Sequence, residues 1–417
     1  MKRLNVLVSA YACNPIPTED AYPGEAILGW NLIKQLSRFY NLTVLTRTYN
    51  RMDLENEIKT GGIANTRFVY LTLPPSWERI KKSFLGFSFY YLLWQIKAYI
   101  KARRLRKRRH FDAFHHITFN NDWMPSFIGA YLKMPFIWGP MGGGQQIPPC
   151  LKTELRRKTR LNERMRLWGQ WFFRHSYFRL RGMKRAKAVL VCNRDTQRII
   201  PARPERVHFF PVNGISLDEF PKLLPAEKRS SGAFRVIYAG RLDPIKGLGL
   251  GIKAFDLFLK NHPDATLELV GQGPEFHRLE QLIADKKLQG KVFITPWLDR
   301  RSLMKKIAES DVLFFPSFRD GGGAVIVEAM ALGKPVVGLD IGGPGYHIRP
   351  AWGIKVQAHS HDQVIGDLAA ALETLSRDEE SRERLGKAGR ARALDFYLWD
   401  KLGDQLHDIY RGVLPPA

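Results

Sequence analysis

Short, strongly apolar segments recur along the whole chain, separated by stretches long enough for a helix. The first half contains NVLVSAY, NLTVLTR, RFVYLTL, FDAFHHITF, PFIWGPM and AKAVLVCN, and the second contains FRVIYAG, TLELVGQG, KVFITPW, DVLFFPS and PVVGLDI. They are rich in β-branched and aromatic residues and do not alternate with polar ones, which is typical of strands buried on both faces. This order of strands and helices predicts an α/β fold built on parallel sheets.

One segment breaks this pattern near the middle of the chain. Residues 221–234, PKLLPAEKRSSGAF, contain two prolines, charges of both signs and a Ser-Ser-Gly sequence, which together favour a loop. We interpret this segment as an interdomain linker. The 417 residues are enough for two or three ordinary domains. We therefore predict two doubly wound, Rossmann-like domains, residues 1–220 and 235–395.

Positive charge is concentrated in the first of these domains. Residues 1–212 contain 37 Lys and Arg against 13 Asp and Glu, whereas residues 213–417 contain 28 against 27. Two basic runs stand out, KARRLRKRRH at 101–110 and LKTELRRKTRLNERMRLW at 151–168. The first run follows FLGFSFYYLLWQIKAYI, which is dense in aromatic residues.

The cations of these basic runs either bind an anionic partner or face solvent. No helix-turn-helix, RNA-recognition or zinc motif accompanies them, so the sequence does not favour nucleic acid. Cations beside aromatic residues suit an anionic membrane surface better. We predict a membrane-facing basic patch of Arg103, Arg104, Arg106 and Lys107. The alternative is an ordinary solvated face.

The rest of the composition indicates a cytoplasmic protein. No window reaches the roughly 18 uninterrupted apolar residues of a membrane span. The apolar part of MKRLNVLVSAYACNP is too short for a signal peptide, and we interpret it as the first strand. Cys13, Cys150 and Cys192 lie far apart, which fits a reducing compartment and indicates neither a disulfide framework nor a zinc site.

Two glycine-containing turns follow strands of the second half. Arg241 and Lys246 lie in GRLDPIKG, at the carboxyl end of a predicted strand, where doubly wound folds bind ligands. Both cations suit phosphate oxygens, although a surface turn with two solvated cations is an equal alternative. The turn in LVGQGPE is a weaker indication, because many α/β domains contain such a turn for packing alone.

A third turn, in PSFRDGGGAVIVEAMALGKPVV, places two carboxylates around a helix N-terminus. Asp320 precedes Gly321–Gly323, and Glu328 lies about one and a half turns into the predicted helix. Bare glycine amides at a helix N-terminus favour an anion. Carboxylates accept hydrogen bonds from hydroxyl groups, and an unpartnered buried charge is costly. The pair therefore suits the hydroxyl groups at both ends of a ligand that contains a diphosphate.

These motifs together resemble the retaining glycosyltransferases of the GT-B fold, the large group 1 family that includes sucrose, trehalose and bacterial polysaccharide synthases. VNGISLDEF at 212–220 also matches, so the resemblance covers essentially the whole chain. It implies two domains facing across a cleft, with residues 396–417 forming a helix that crosses back to the first domain. The family most often has Glu at the first acid, and Asp320 is one methylene shorter. The sequence GLDIGGPGYHI more closely resembles a bacterial subgroup of the family that builds exopolysaccharides.

The resemblance also implies roles for individual residues of the second domain. Arg241 and Lys246 would hold the donor diphosphate, Asp320 would face the transferred sugar, and Glu328 would bond the ribose. The predicted donor-binding set is Glu328, Gly322, Gly323, Ala324, Gly240, Gly271 and Trp297.

In the first domain the implied cleft residues are less defined. Gly24 stands where the family has a glycine-rich loop that faces the donor, and helix entry is the alternative reading of its neighbour Glu25. The family often has a cleft histidine at the end of the strand PFIWGPM, and none is present here. His116, or His115 beside it, would substitute, or the amides of Gly142, Gly143 and Gly144 would act instead.

The sequence therefore predicts an enzyme that transfers a sugar, with retention, from a nucleotide-sugar donor to a saccharide or polyprenyl-linked saccharide. We expect it at the cytoplasmic face of the inner membrane, in exopolysaccharide or surface-polysaccharide synthesis. Because cations can stabilise the leaving diphosphate, we expect no metal and no cofactor. The alternatives are a nucleotide-sugar epimerase or hydrolase on the same fold, and a non-catalytic membrane- or nucleic-acid-binding protein.

Overall fold

Two parallel sheets organise the chain in this computed structural model, which describes residues 3–16, 23–74, 76–77, 84–119, 121–217 and 232–414. The strands of the first sheet are β1 (Asn5–Ser9), β2 (Asn41–Arg47), β3 (Thr66–Leu71), β4 (Ala113–His116), β5 (Phe136–Met141), β6 (Ala188–Val191) and β7 (Val207–Phe209). Those of the second are β8 (Arg235–Ala239), β9 (Thr266–Val270), β10 (Val292–Thr295), β11 (Val312–Phe315), β12 (Val336–Leu339) and β13 (Gly353–Val356). The predicted α/β class with two doubly wound sheets is confirmed.

The connections between successive strands are mostly helical. The helices that belong to the first half are α1 (Pro23–Ser37), α2 (Arg51–Lys59), α3 (Phe84–Arg106), α4 (Phe127–Tyr131), α5 (Arg157–Arg174), α6 (Tyr177–Arg185) and α7 (Arg194–Ile199). Those of the second half are α8 (Leu248–Leu259), α9 (Phe276–Asp285), α10 (Arg300–Glu309), α11 (Ala324–Ala331), α12 (Gly342–His347), α13 (His361–Arg377), α14 (Glu379–Phe396) and α15 (Trp399–Val413). None of the helices among the described residues is both long and apolar enough to cross a bilayer.

Strand order determines where each sheet can bind a ligand. The first sheet runs β3-β2-β1-β4-β5-β6-β7 and the second β10-β9-β8-β11-β12-β13. In the first sheet, β2 and β3 are added on one side of β1, and β4 to β7 on its other side. In the second sheet, β9 and β10 lie on one side of β8, and β11 to β13 on the other. The order of strands therefore changes direction between β1 and β4 and between β8 and β11. At such a switch point the loops leave toward opposite faces and open a crevice at the carboxyl ends of the strands. The loops after β8 and β11 contain Lys246 and Asp320.

Aromatic side chains fill one face of the first sheet. The rings of Tyr91 and Trp94 in α3 are buried and pack on Tyr11, whose ring lies edge-on to Trp94 at 5.0 Å. The aromatic run at 84–100 thus supplies core residues, because a helix laid on a sheet turns its large apolar side chains toward the strands. On the opposite face, α1 packs against α15.

Helix α15 joins the end of the chain to the first sheet. Tyr410 is buried, and its hydroxyl lies 2.8 Å from Nδ1 of His115 in β4. Gln35 of α1 donates to Asp400 Oδ1 at 2.9 Å. The resemblance predicts that the segment 396–417 crosses back to the first domain, and residues 415–417 of it lie outside the described part. The predicted linker 221–234 also lies outside it, except for residues 232–234.

A short 3-10 helix, Pro149–Glu154, comes from the first half of the chain but packs against the second sheet. Leu151 and Leu155 are buried in the core of the second half. Glu154 accepts from Lys253 of α8 at 2.7 Å and contacts His361 at the start of α13. The predicted division near residue 220 did not anticipate this packing, because the basic run that begins at residue 151 does not indicate which sheet it contacts.

Candidate active site

Asp320 occupies the N-terminus of α11. Its Oδ1 accepts hydrogen bonds from the amides of Gly322, at 2.9 Å, and Gly323, at 2.7 Å. Gly323 precedes the helix with φ of 65°, a left-handed conformation that glycine adopts without strain. The two amides predicted to meet a diphosphate therefore donate to a carboxylate of the same loop. The anion-binding property of this helix end is intact, and Asp320 uses it.

Lys246 reaches the same carboxylate from the neighbouring loop. Its ammonium contacts Asp320 Oδ2, and both side chains are mostly shielded from solvent. Gly247, which follows, has φ of 67°, and a Cβ there would lie 2.2 Å from the carbonyl oxygen of Pro316. Only glycine fits where the two loops cross, so the crossing brings Lys246 to Asp320.

The electrostatics of this pair favour charged forms. Burial by itself would raise the pKa of Asp320, but Lys246 and the amides of Gly322 and Gly323 outweigh it and hold the pKa below its usual value. Asp320 is therefore ionised at neutral pH. Lys246 and Asp320 thus place one cation and one anion side by side at the carboxyl ends of β8 and β11.

Arg241 and Glu328 lie on the same side of the sheet, each with a partner that the sequence did not indicate. Arg241 donates to both carboxylate oxygens of Asp243, at 2.8 and 3.4 Å, and its side chain is 65% exposed. Glu328 accepts from Arg300 at 2.8 Å and is 12% exposed. A ligand bound here would compete with Asp243 for Arg241 and with Arg300 for Glu328.

The remaining predicted donor residues differ in what surrounds them. Gly271 has φ of 149°, and a Cβ there would lie 1.9 Å from the carbonyl oxygen of Gly240. The two glycines thus have a packing reason to be glycine, which is the alternative raised for the GQG turn. Ala324 is an exposed residue in the first turn of α11. Trp297 is 61% exposed in the loop after β10.

The histidines of β4 are buried in the first domain. The ring of His116 lies 2.8 Å from the hydroxyl of Tyr91, and His115 contacts Tyr410 and the carbonyl oxygen of Gly139. Burial, and for His116 also the neighbouring His115, lowers the pKa of each to about 3. A catalytic role for His116 would need access to the cleft, but the structure gives its ring a buried position behind Tyr91.

The glycine loop after β5 also has internal partners. The amide of Gly143 donates to Gln145 Oε1 and that of Gly144 to Thr196 Oγ1, each at 3.1 Å. Gly142 accepts from the amide of Asp122 at 2.9 Å. Gly24 is exposed in the first turn of α1. The neighbouring Glu25 accepts from the amide of Phe119, and burial raises its pKa.

Contacts across the cleft fix the Asp320 loop from the other domain. Asn193, after β6, donates to the carbonyl oxygen of Gly321 at 3.2 Å, and Asp195 accepts from the amide of Gly342 at 2.9 Å. Sequence reasoning missed both residues. The segment CNRDT could have indicated a helix start, because Asn is a preferred N-cap residue. Asn193 does cap α7, since its side chain accepts from the amide of Thr196.

A pocket of about 230 Å³ lies between α3, α5 and the Asp320 loop. Its lining includes the aromatic rings of Phe87, Tyr91, Phe119 and Trp123, and the polar side chains of Gln145, Arg166, Gln170 and Arg319. Glu163 of α5 accepts from both Arg166 and Arg319. Because Arg319 precedes Asp320, the pocket adjoins the Lys246–Asp320 pair.

The predicted membrane-facing patch is exposed. Arg103, Arg104, Arg106 and Lys107 lie at or just after the last turn of α3. Cations at a helix C-terminus are favoured by the helix dipole alone, so their exposure does not by itself indicate a lipid partner. Within the described ranges, no group of three or more His, Cys, Asp and Glu side chains is arranged to hold a metal ion.

Comparison with known proteins identifies relatives of the second half of the chain. Residues 220–392 match the family model described as glycosyl transferases group 1. A D-inositol 3-phosphate glycosyltransferase of Paenarthrobacter aurescens is 30% identical over 217 residues, which cover 49% of this chain and 52% of the relative. The chain thus spans about half the length of that curated relative.

Solved structures match over the whole length, at low identity. A glycosyltransferase from Rickettsia africae superposes with a TM-score of 0.67 at 14% identity and covers 100% of both chains. HepE of Anabaena in complex with UDP superposes with a TM-score of 0.63 at 18% identity, covering 98% of this chain and 100% of its own. The chain therefore has the two-domain GT-B fold, and residues 220–392 are similar to the group 1 glycosyl transferases.

Proposed function

We propose that the protein is a retaining glycosyltransferase that moves a sugar from a nucleotide-sugar donor to a saccharide or lipid-linked saccharide. The observation that carries the proposal is the Lys246–Asp320 pair at the N-terminus of α11, next to an aromatic pocket of the other domain. A cation and a helix N-terminus suit a diphosphate leaving group, and a carboxylate suits sugar hydroxyl groups. The UDP in the HepE structure is consistent with a nucleoside diphosphate as the leaving group.

Binding of the donor exchanges partners within this site. The diphosphate takes the positions beside Lys246 and the amides of Gly322 and Gly323, which now donate to Asp320. The Asp320 carboxylate then turns to the hydroxyl groups of the transferred sugar. Glu328 accepts from the ribose hydroxyl groups, and the hydrogen bond from Arg300 orients Glu328. Arg241 adds a second cation for the diphosphate.

Sugar transfer then depends on stabilising the leaving group. The bond between the anomeric carbon and the β-phosphate oxygen breaks, and its electron pair remains on that oxygen. Once the donor is bound, Lys246 and the two amides already face this oxygen as its charge develops, and such electrostatic stabilisation is the largest single contribution in many enzymes. The acceptor hydroxyl bonds to the anomeric carbon on the face that the diphosphate leaves. Its proton passes to the departing phosphate oxygen.

The pocket between α3 and α5 is the proposed acceptor site. Aromatic rings such as Phe87 and Trp123 pack against the apolar faces of sugar rings, and Arg166 and Gln170 donate to their oxygens. We assign the reaction to bacterial surface-polysaccharide synthesis at the cytoplasmic face of the inner membrane. This assignment rests on the motif resemblance of the GLDIGGPGYHI segment.

The test is a screen of purified protein against a panel of nucleotide sugars, with release of free nucleotide as the readout. We expect release that depends on an added saccharide or polyprenyl-linked saccharide, and an NMR coupling constant in the product that matches the donor anomer. An inverted anomer would contradict retention. Release or epimerisation without any acceptor would indicate the epimerase or hydrolase instead, and no turnover with any donor would indicate a binding protein.

A further inference from the structure

Helix α5 carries a row of apolar side chains on its solvent side. Leu161, Met165, Trp168 and Phe172 are spaced by four, three and four residues, so they share one face of the helix. Their exposed fractions are 57%, 54%, 69% and 57%. We name these four residues the α5 stripe. A surface helix normally turns its apolar face to the core, and α5 does the opposite with this face.

Polar contacts explain why the stripe faces outward. The opposite side of α5 carries Glu163, which holds Arg166 and Arg319, and Gln170, which is buried against the pocket. These ion pairs fix the rotation of the helix about its axis. The stripe is therefore exposed because the protein uses the polar face of α5 internally.

Further aromatic side chains extend the exposed surface toward α6. Trp171 is 60% exposed, Tyr177 62% and Phe178 43%. The rings of Trp168 and Phe172 stack at a centroid distance of 6.2 Å. A soluble monomer seldom exposes so many large apolar side chains side by side, and such a patch usually marks an interaction surface. Tryptophan and tyrosine are the residues enriched where protein meets the membrane–water interface.

The charges around the stripe select among partners. Arg157, Lys158, Arg160 and Arg164 of α5 are exposed, whereas the only acid of the helix, Glu163, is turned inward. Two copies of this surface would bring cations against cations without an acid between them. An anionic lipid surface supplies both the apolar depth for the stripe and phosphate groups for the cations.

We propose that α5 and the first turn of α6 dock the protein onto an anionic phospholipid bilayer. The stripe enters the headgroup region and the cations contact lipid phosphates. This inference deepens the proposed function and rests on it in one respect. Arg166 and Gln170 of the same helix line the pocket, so docking would bring the acceptor site beside the membrane, where a lipid-borne saccharide is presented.

The test is sedimentation of the full chain with vesicles of phosphatidylcholine alone or with phosphatidylglycerol. We expect binding to the anionic vesicles, and a decrease of roughly tenfold or more in L161S/W168S/F172S, since the substitutions remove most of the apolar area that would be buried. The matched control is Y49S/M52S, which removes exposed apolar side chains from another surface, 63% and 85% exposed in the parent. Thermal unfolding of each variant verifies the fold.

Several outcomes would overturn the docking assignment. They are unchanged vesicle binding in the stripe variant, equal loss in the control, or a larger loss on neutralising Arg103, Arg104, Arg106 and Lys107 than on removing the stripe. A dimer that the stripe variant abolishes, without any vesicle binding by the parent, would assign the surface to a second copy. Donor binding measured by calorimetry separates the two proposals, because failure there concerns the sugar transfer and not the docking.

Discussion

The two halves of the molecule share one α/β plan but assemble their functional groups differently. In the second half, Lys246, Asp320 and Glu328 lie in two adjacent connections, and charges balance at 28 basic against 27 acidic residues over 213–417. In the first half, the pocket draws on α3, on the loops after β4 and β5, and on α5, which are separated by up to about 80 residues. Both sets are far apart in the sequence, since Lys246 and Asp320 are themselves 74 residues apart. The proposed donor side lies in recognisable loop motifs, whereas no motif indicates the pocket.

The largest expected effect breaks the donor side alone. Lys246→Ala should lower turnover by about 10²–10³-fold, because it removes a preorganised cation from the leaving group. Lys305→Ala, at an exposed position of α10, is the matched control and should keep the parent rate. Nucleotide release under saturating donor and acceptor measures both. A Lys246→Ala enzyme within a few fold of the parent would remove this lysine from the mechanism.

A second substitution tests nucleotide recognition in the same half. Glu328→Ala should weaken binding of the free nucleoside diphosphate by roughly tenfold to a hundredfold, since hydrogen bonds to a charged group contribute about 1.5–3 kcal/mol. Isothermal calorimetry gives the affinity directly. Arg300→Ala should give a smaller loss, because Arg300 acts by orienting Glu328. Equal affinities for parent and Glu328→Ala would contradict the ribose assignment.

The first half should respond in a different parameter. Arg166→Gln, in the pocket, should raise the KM for acceptor by about tenfold while donor affinity stays at the parent value. Arg109→Gln is the control, because Arg109 is exposed beyond the end of α3. Initial rates with a soluble acceptor distinguish the two parameters. A change in donor affinity alone would contradict the assignment of acceptor binding to the first half and donor binding to the second.

The smallest effect concerns the contact between halves. Hydrogen bonds to Asp362 and Glu154 raise the pKa of His361 above 6.5, so its protonated form stabilises the fold. That contribution is complete below pH 6.5 and is lost as the pH rises through the folded-state pKa. His361→Gln should abolish this part of the pH dependence above pH 6.5, about a few tenths of a kcal/mol for a partly exposed pair. Denaturant unfolding at several pH values measures it, and an unchanged slope in the variant would refute it.

The same contrast explains which features the sequence could predict. Buried strands are apolar throughout, so both sheets were predictable, and the Asp320 turn was recognisable from its residue spacing. Two features of that turn were not. The capture of the Gly322 and Gly323 amides by Asp320 depends on a side-chain rotamer, and the pairing of Glu328 with Arg300 depends on how α10 packs beside α11.

In the first half, the direction of side chains was the missing information. Tyr91 and Trp94 in the aromatic run before Arg103 are core residues, although Phe89 of the same run is 53% exposed. Trp168 in the second basic run and Phe172 just after it are exposed. Both runs have helical spacing, and spacing alone does not say which face meets the sheet. His116 illustrates the same limit: the end of a strand predicts nearness to the cleft, but its side chain follows the pleat into the interior.

The short helix Pro149–Glu154 bears on how the protein could be divided into fragments. Leu151 and Leu155 complete the core of the second sheet, and Glu154 neutralises Lys253. A fragment starting near residue 220 would leave that apolar surface bare and that lysine without its counter-ion. A fragment of the second half that folds by itself therefore has to include residues 147–155, either joined to it or added as a separate peptide.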